Sequence, residues 1–94
     1  MGMEAYKRTS VYKGALRILR TLQAAHYEAY IVGGAVRDIQ MGRIPHDYDI
    51  VTSAMPEVVI DVLRTEGFIT TNVVGASFGV VVVTVGDDTY EVAT

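Results

Sequence analysis

No cysteine occurs in the sequence, so the chain has neither a disulfide nor a thiolate metal site. That absence fits a reducing cytoplasm, which is the expected compartment. No apolar run approaches the length of a bilayer span, and the N-terminus lacks the apolar segment of a secretory signal. No membrane partner is expected. Repeats and low-complexity tracts are missing as well. The 94 residues allow one domain at most, near the lower limit for independent folding. Half of them are hydrophobic, enough for a real core.

Strong basicity is missing too. The formal net charge is −3, but it is unevenly spread: residues 1–43 hold seven Lys/Arg against three Asp/Glu, and residues 44–94 hold one against eight. Lys7, Arg8, Lys13, Arg17 and Arg20 form a basic set that would suit RNA phosphate. The simpler reading is a solvated helix face.

What the chain does have is a dense stretch from Tyr30 to Thr52. Tyr30, Ile31 and Val32 read as a strand ending in Gly33-Gly34. A short helical segment carrying Arg37 and Asp38 follows, stopped by Gly42. After Pro45, a second strand-like run carries Asp47 and Asp49. Side chains two apart in a strand share a face, which pairs Asp47 with Asp49 and leaves Tyr48 and Ile50 on the other side. Like charges this close call for a cation, and hard oxygen ligands suit Mg²⁺. The glycine pair leaves backbone amides unobstructed at a helix start, where an anion is favoured. Together these features describe a site for a metal-bound nucleoside triphosphate. Arg37 suits bidentate contact with phosphate oxygens, and equally an ion pair with Asp38 or with the aspartates. Asp38 reads as structural, and His46 as a turn histidine rather than a proton shuttle.

Around that stretch, Thr9 or Ser10 caps a helix reaching about His26, whose Val11, Ala15, Ile18, Leu19 and Leu22 form one apolar stripe. The ten residues before it read as frayed. Glu28 to Val32 is the first strand, and Ala35 to Met41 the short helix. Pro56-Glu57 opens another helix, with Val59, Val62 and Leu63 inward and Gly67 closing it. Phe68 to Val74 reads as a strand. Gly79 to Val85, apolar at nearly every position, predicts a central strand covered on both faces. Gly86-Asp87-Asp88 is a hairpin turn. Thr89 to Thr94 returns, with Tyr90 and Val92 on one face and Thr89, Glu91 and Ala93 on the other. The expected fold class is α+β, a mixed sheet of about five strands with helices packed on one side.

GGAVRD, Gly42-Arg43 and HDYDIVTSAMPE, followed by Val74-Gly75, Phe78-Gly79, GVVVV and YEVAT, resemble the class II CCA-adding enzymes and bacterial poly(A) polymerases. These are template-independent tRNA nucleotidyltransferases of the polymerase β superfamily. The resemblance runs from about Gly14 to the end, with Gln40 standing where a leucine is expected. It implies a nucleotidyltransferase head that transfers CMP or AMP from CTP or ATP to the 3′ end of tRNA by two-Mg²⁺ chemistry. It implies Asp47, Asp49 and Glu91 as catalytic and metal-holding residues, Glu91 resting on the resemblance alone. Gly33, Gly34 and Arg37 become the nucleotide-binding set. A module that binds nucleotide and Mg²⁺ without turnover, and a poly(A) polymerase head, are the alternatives. Family members continue well past the position of Thr94 into neck, body and tail domains that select the base and grip tRNA. This chain is therefore expected to be a head fragment, poorly active alone and weak for tRNA. The last strand, Thr89 to Thr94, is expected at a sheet edge, where it would promote self-association.

Overall fold

A computed structural model describes residues 2–72 and 79–94. The apolar stripe at 11–22 forms helix α1, Ser10–Ala24, with Ala15, Ile18 and Leu22 fully buried. Thr9 is its N-cap, its Oγ1 accepting from the Tyr12 amide at 3.2 Å. The preceding segment is not frayed: Gly2–Arg8 forms a 3-10 helix. Tyr6 holds it down, its ring meeting Tyr12 edge-on at 5.2 Å.

Seven further elements among the described residues carry the sheet and its covering: strand β1 (Ala29–Val32), helix α2 (Gly34–Gln40), strand β2 (Asp49–Thr52), helix α3 (Pro56–Thr65), strand β3 (Ile69–Asn72) and the hairpin of strands β4 (Val80–Val85) and β5 (Asp88–Ala93). Pairing reaches one residue further at the start of β1, because the Glu28 carbonyl accepts from Thr52 Oγ1 at 2.6 Å and from the Ser53 amide at 3.0 Å. The hairpin turn is the two residues Gly86 and Asp87, since Asp88 already pairs with Val85. Val73, Val74, Gly75 and Phe78, which contribute to the sequence motif, lie outside the described residues.

The sheet runs β1-β2-β5-β4-β3, with β2 and β5 parallel and every other pair antiparallel. The α+β fold with a mixed five-stranded sheet is as expected, but two readings are corrected. β5 is not an edge; it sits between β2 and β4. Tyr90 and Val92, each 1% exposed, lie on the face that the helices cover. The edges are β1 and β3, so self-association through Thr89–Thr94 loses its basis. β4 is not covered on both faces either: Val81 and Val83 are buried while Val80, Val82 and Thr84 are half-buried. Branched side chains favour any pleated surface, so a valine run does not distinguish single from double covering.

α1 and α3 pack on the face carrying Ile50, Val81, Val83, Tyr90 and Val92. The opposite face presents exposed Asp49, Thr89 and Glu91 among half-buried valines. Among the described residues no helix is long and apolar enough to cross a membrane.

Candidate active-site cleft

Asp49 opens β2, whereas Asp47 lies just before it, outside the strand pairing. The expected alternation survives this: Asp47 and Asp49 are exposed, while Tyr48 and Ile50 are buried. Tyr48 is what fixes it. Its ring lies against Tyr12 of α1 at 6.0 Å, so a large buried side chain anchors the backbone between the two carboxylates. The parallel register of β2 and β5 then sets Asp49 beside Glu91. Asp47, Asp49 and Glu91 line a single cleft of about 450 Å³, with Thr89 and Val82 beside them. Tyr48 and Tyr90 complete its lining.

The glycine pair lies next to this cleft. Antiparallel pairing places Val32 opposite Asp49, so the chain leaving β1 must pass over that carboxylate. Gly33 does so with φ 75° and ψ −139°, a conformation that side-chain-bearing residues avoid. A Cβ on Gly33 would fall 3.7 Å from Asp49 Oδ2, and one on Gly34 would fall 3.9 Å from Arg37 Nη2. The bare backbone of Gly33 thus leaves a small recess beside the Asp49 carboxylate. Among the described residues Arg37 makes no ion pair with Asp38, Asp47 or Asp49. Its guanidinium stays available. Asp38 holds the loop after α2 through its backbone, its carbonyl accepting from the Arg43 amide at 2.7 Å. His46 is exposed and outside the cleft lining.

Of the six residues singled out in the sequence, Asp47, Asp49 and Glu91 share the cleft lining and Gly33 lies beside Asp49, while Gly34 and Arg37 lie beside each other at the start of α2. Among the described residues, no group of three His, Cys, Asp or Glu converges closely enough to enclose a metal ion. This open arrangement suits Mg²⁺, which takes one or two carboxylates and completes its octahedron with water and substrate phosphate. The carboxylate oxygens lining the cleft are the hard donors that such a cation takes. Thr89 shares Glu91's face by strand alternation, so its place in the cleft is legible in the sequence. Val82 comes from β4, and nothing in its own sequence marks it.

The cations of α1 lie elsewhere. Arg17 stacks over the Phe68 ring at 5.0 Å. Arg20 lines a larger groove of about 820 Å³ between α1 and α3, with Glu57 and Asp61 across from it. That helical side faces away from the carboxylates.

A profile of the poly A polymerase head domain matches residues 29–94. Poly(A) polymerase I of Salmonella typhi is 39% identical over 90 residues, covering 96% of this chain and 18% of that protein. The CCA-adding enzyme of Geobacillus kaustophilus (strain HTA426) is 48% identical over 83 residues, covering 88% of this chain and 19% of that enzyme. The crystal structure of the Bacillus stearothermophilus CCA-adding enzyme in complex with CTP superposes with a TM-score of 0.76 at 42% identity, over 92% of this chain and 20% of that one. The chain spans about a fifth of the length of these relatives.

Proposed function

The chain belongs to the poly(A) polymerase head-domain family, and from that premise we propose that it is the catalytic head of an RNA nucleotidyltransferase that adds CMP and AMP to the 3′ end of tRNA. The observation carrying this reading is the juxtaposition of Gly33 with Asp49 at the mouth of a cleft that also holds Asp47 and Glu91. It is supported by the CTP complex of the Bacillus stearothermophilus relative.

In this reading Asp47, Asp49 and Glu91 would supply the carboxylate oxygens to Mg²⁺, which would neutralise charge on the triphosphate and activate the attacking 3′-hydroxyl. The chain's own contribution is placement. Gly33 admits a phosphate beside Asp49 where any side chain would fill the recess. Arg37 offers paired donors to the β- and γ-phosphate oxygens, and Gly34 lets that guanidinium lie close to the backbone. The primer's 3′-oxygen forms the new bond to the α-phosphorus, and the bond to pyrophosphate breaks. No covalent enzyme intermediate is needed.

A second reading, addition of A alone, rests on the likeness to poly(A) polymerase I, 39% identical against 42% and 48% for two CCA-adding enzymes. The test is a melting scan with Mg²⁺ and each nucleoside triphosphate. Ligand at ten times its Kd should stabilise the fold by about 1.4 kcal/mol, and the two readings part on primer extension, CMP and AMP being added under the first and AMP alone under the second. Primer extension on tRNA lacking its 3′ CCA then separates turnover from mere binding. Absence of any Mg²⁺-dependent shift defeats both readings.

A further inference from the structure

We propose that the open edge of β3 is a strand-pairing surface for a second copy of this chain, and that Arg64 is the latch that keeps it closed. The device is separate from the cleft chemistry. The phase of the β4–β5 ladder shows which backbone groups of β3 face outward. The Thr94 amide donates to the Gly79 carbonyl at 3.0 Å, so Gly79 and Thr94 are a hydrogen-bonded pair of that ladder. Antiparallel pairs alternate, so Val81 and Val83 also bond to β5, while Val82 and Thr84 turn their backbone groups to β3. Their partners there are Thr71 and Ile69. Thr70, between these two, therefore directs its amide and carbonyl away from β4, on the side where β3 has no neighbouring strand among the described residues.

Arg64 takes that position. It stands in the last turn of α3, with Nε donating to Thr70 Oγ1 at 2.8 Å and Nη2 to the Thr70 carbonyl at 3.2 Å. A strand added to β3 would need that carbonyl as an acceptor and would meet the guanidinium on approach, and a cation on an edge is one way of blunting it. What the latch restrains lies beside it. Ile69 is 66% exposed and is followed by Thr70 and Thr71, three β-branched residues of the kind that pair readily. A second copy fits this edge because two identical edges pair antiparallel about a two-fold axis, each supplying what the other lacks.

The test uses the 94-residue chain. Arg64→Met keeps the apolar stem and removes the donors. In sedimentation equilibrium its apparent mass should rise with concentration from the 10.2 kDa of one chain towards twice that, while the parent stays at one chain mass over the same range. Amide hydrogen exchange locates the contact: the Thr70 amide should exchange freely in the parent and be protected in the associated variant. Adding Ile69→Lys, which puts a charge on the edge, should return Arg64→Met to one chain mass. Thr70→Val removes the Oγ1 anchor at constant shape and carries the same expectations should Arg64→Met fail to fold. A variant that stays at one chain mass overturns the proposal, as does a parent that associates equally. Association that leaves the Thr70 amide unprotected, or that survives Ile69→Lys, overturns it too, because the contact would then lie elsewhere.

Discussion

Gly14 of α1 lies directly against the hydroxyl end of Tyr90 on β5, so closely that a Cβ at position 14 would collide with Tyr90 Oη. The same hydroxyl donates to the Val11 carbonyl at 2.6 Å. Helix and central strand are locked at a point where only glycine fits.

Gly14→Ala is therefore expected to destabilise the protein even though alanine is the better helix former. The propensity gain is about 1 kcal/mol, against about 1–3 kcal/mol for overpacking and about 1 kcal/mol for the strained hydrogen bond. A net loss of roughly 1–3 kcal/mol follows. Tyr90→Phe in the same background removes the colliding oxygen and should recover part of the loss, a coupling that a double-mutant cycle in urea reads directly. An alanine variant as stable as the parent would mean that α1 and β5 are not held this tightly.

Much of this architecture is legible in the chain. The 3.6-residue stripe at 11–22 and the Pro56-Glu57 start gave helices within a residue or two of their bounds, because local periodicity and capping decide those elements. Asp47 and Asp49 share a face because Tyr48 is too large and apolar to be left in water, another local matter. Strand order is different. β5 is drawn between β2 and β4 by burial of Tyr90 and Val92 against α1, a contact across 79 positions in the Tyr90–Val11 bond, and no local pattern encodes it. The same crossing brings Glu91 to Asp49, which is why Glu91 could be reached only through family resemblance.

Among the described residues the three α-helices end in the same way, with the C″ amide bonded five residues back: Tyr27 to Leu22, Arg43 to Asp38 and Phe68 to Leu63. Gly42 and Gly67 occupy the left-handed position in two of them, while His26 does so at φ 72° in the third. A non-glycine residue there costs roughly 1–2 kcal/mol, partly offset by glycine's larger unfolded-state entropy. His26→Gly should accordingly raise stability by about 0.5–1 kcal/mol, measured as an upward shift in the urea midpoint at unchanged slope. A lower midpoint would assign His26 a contact that outweighs its backbone strain.

Asp47→Asn and Asp49→Asn probe the cleft without disturbing the fold. Both carboxylates are exposed, and neutralising one relieves repulsion rather than leaving a buried charge unpaired. The ligand-free melting point should shift by no more than the equivalent of about 0.5 kcal/mol, while the stabilisation given by Mg²⁺ and CTP disappears. A large ligand-free loss would instead make the aspartates part of the scaffold.

Tyr48 is the residue whose loss should help. Its hydroxyl is buried and finds no hydrogen-bond partner among the described residues, and desolvation pushes its pKa up to about 12. Burial likewise raises Tyr90 to about 12. Both folded-state values exceed the ordinary tyrosine value near 10, so between these limits the native chain keeps protons that the unfolded chain releases. Stability is thus complete below about pH 10 and drains away as the pH climbs toward 12. Tyrosinate absorbance from these two rings should appear together with loss of circular dichroism, not before it. Tyr48→Phe removes an unpaired hydroxyl while keeping the ring against Tyr12, so it should stabilise the fold at neutral pH by about 1 kcal/mol and move alkaline unfolding upward. A Tyr48→Phe variant weaker than the parent at neutral pH would reveal a donor or acceptor bound to Oη, and with it a second attachment between α1 and the strand that carries the carboxylates.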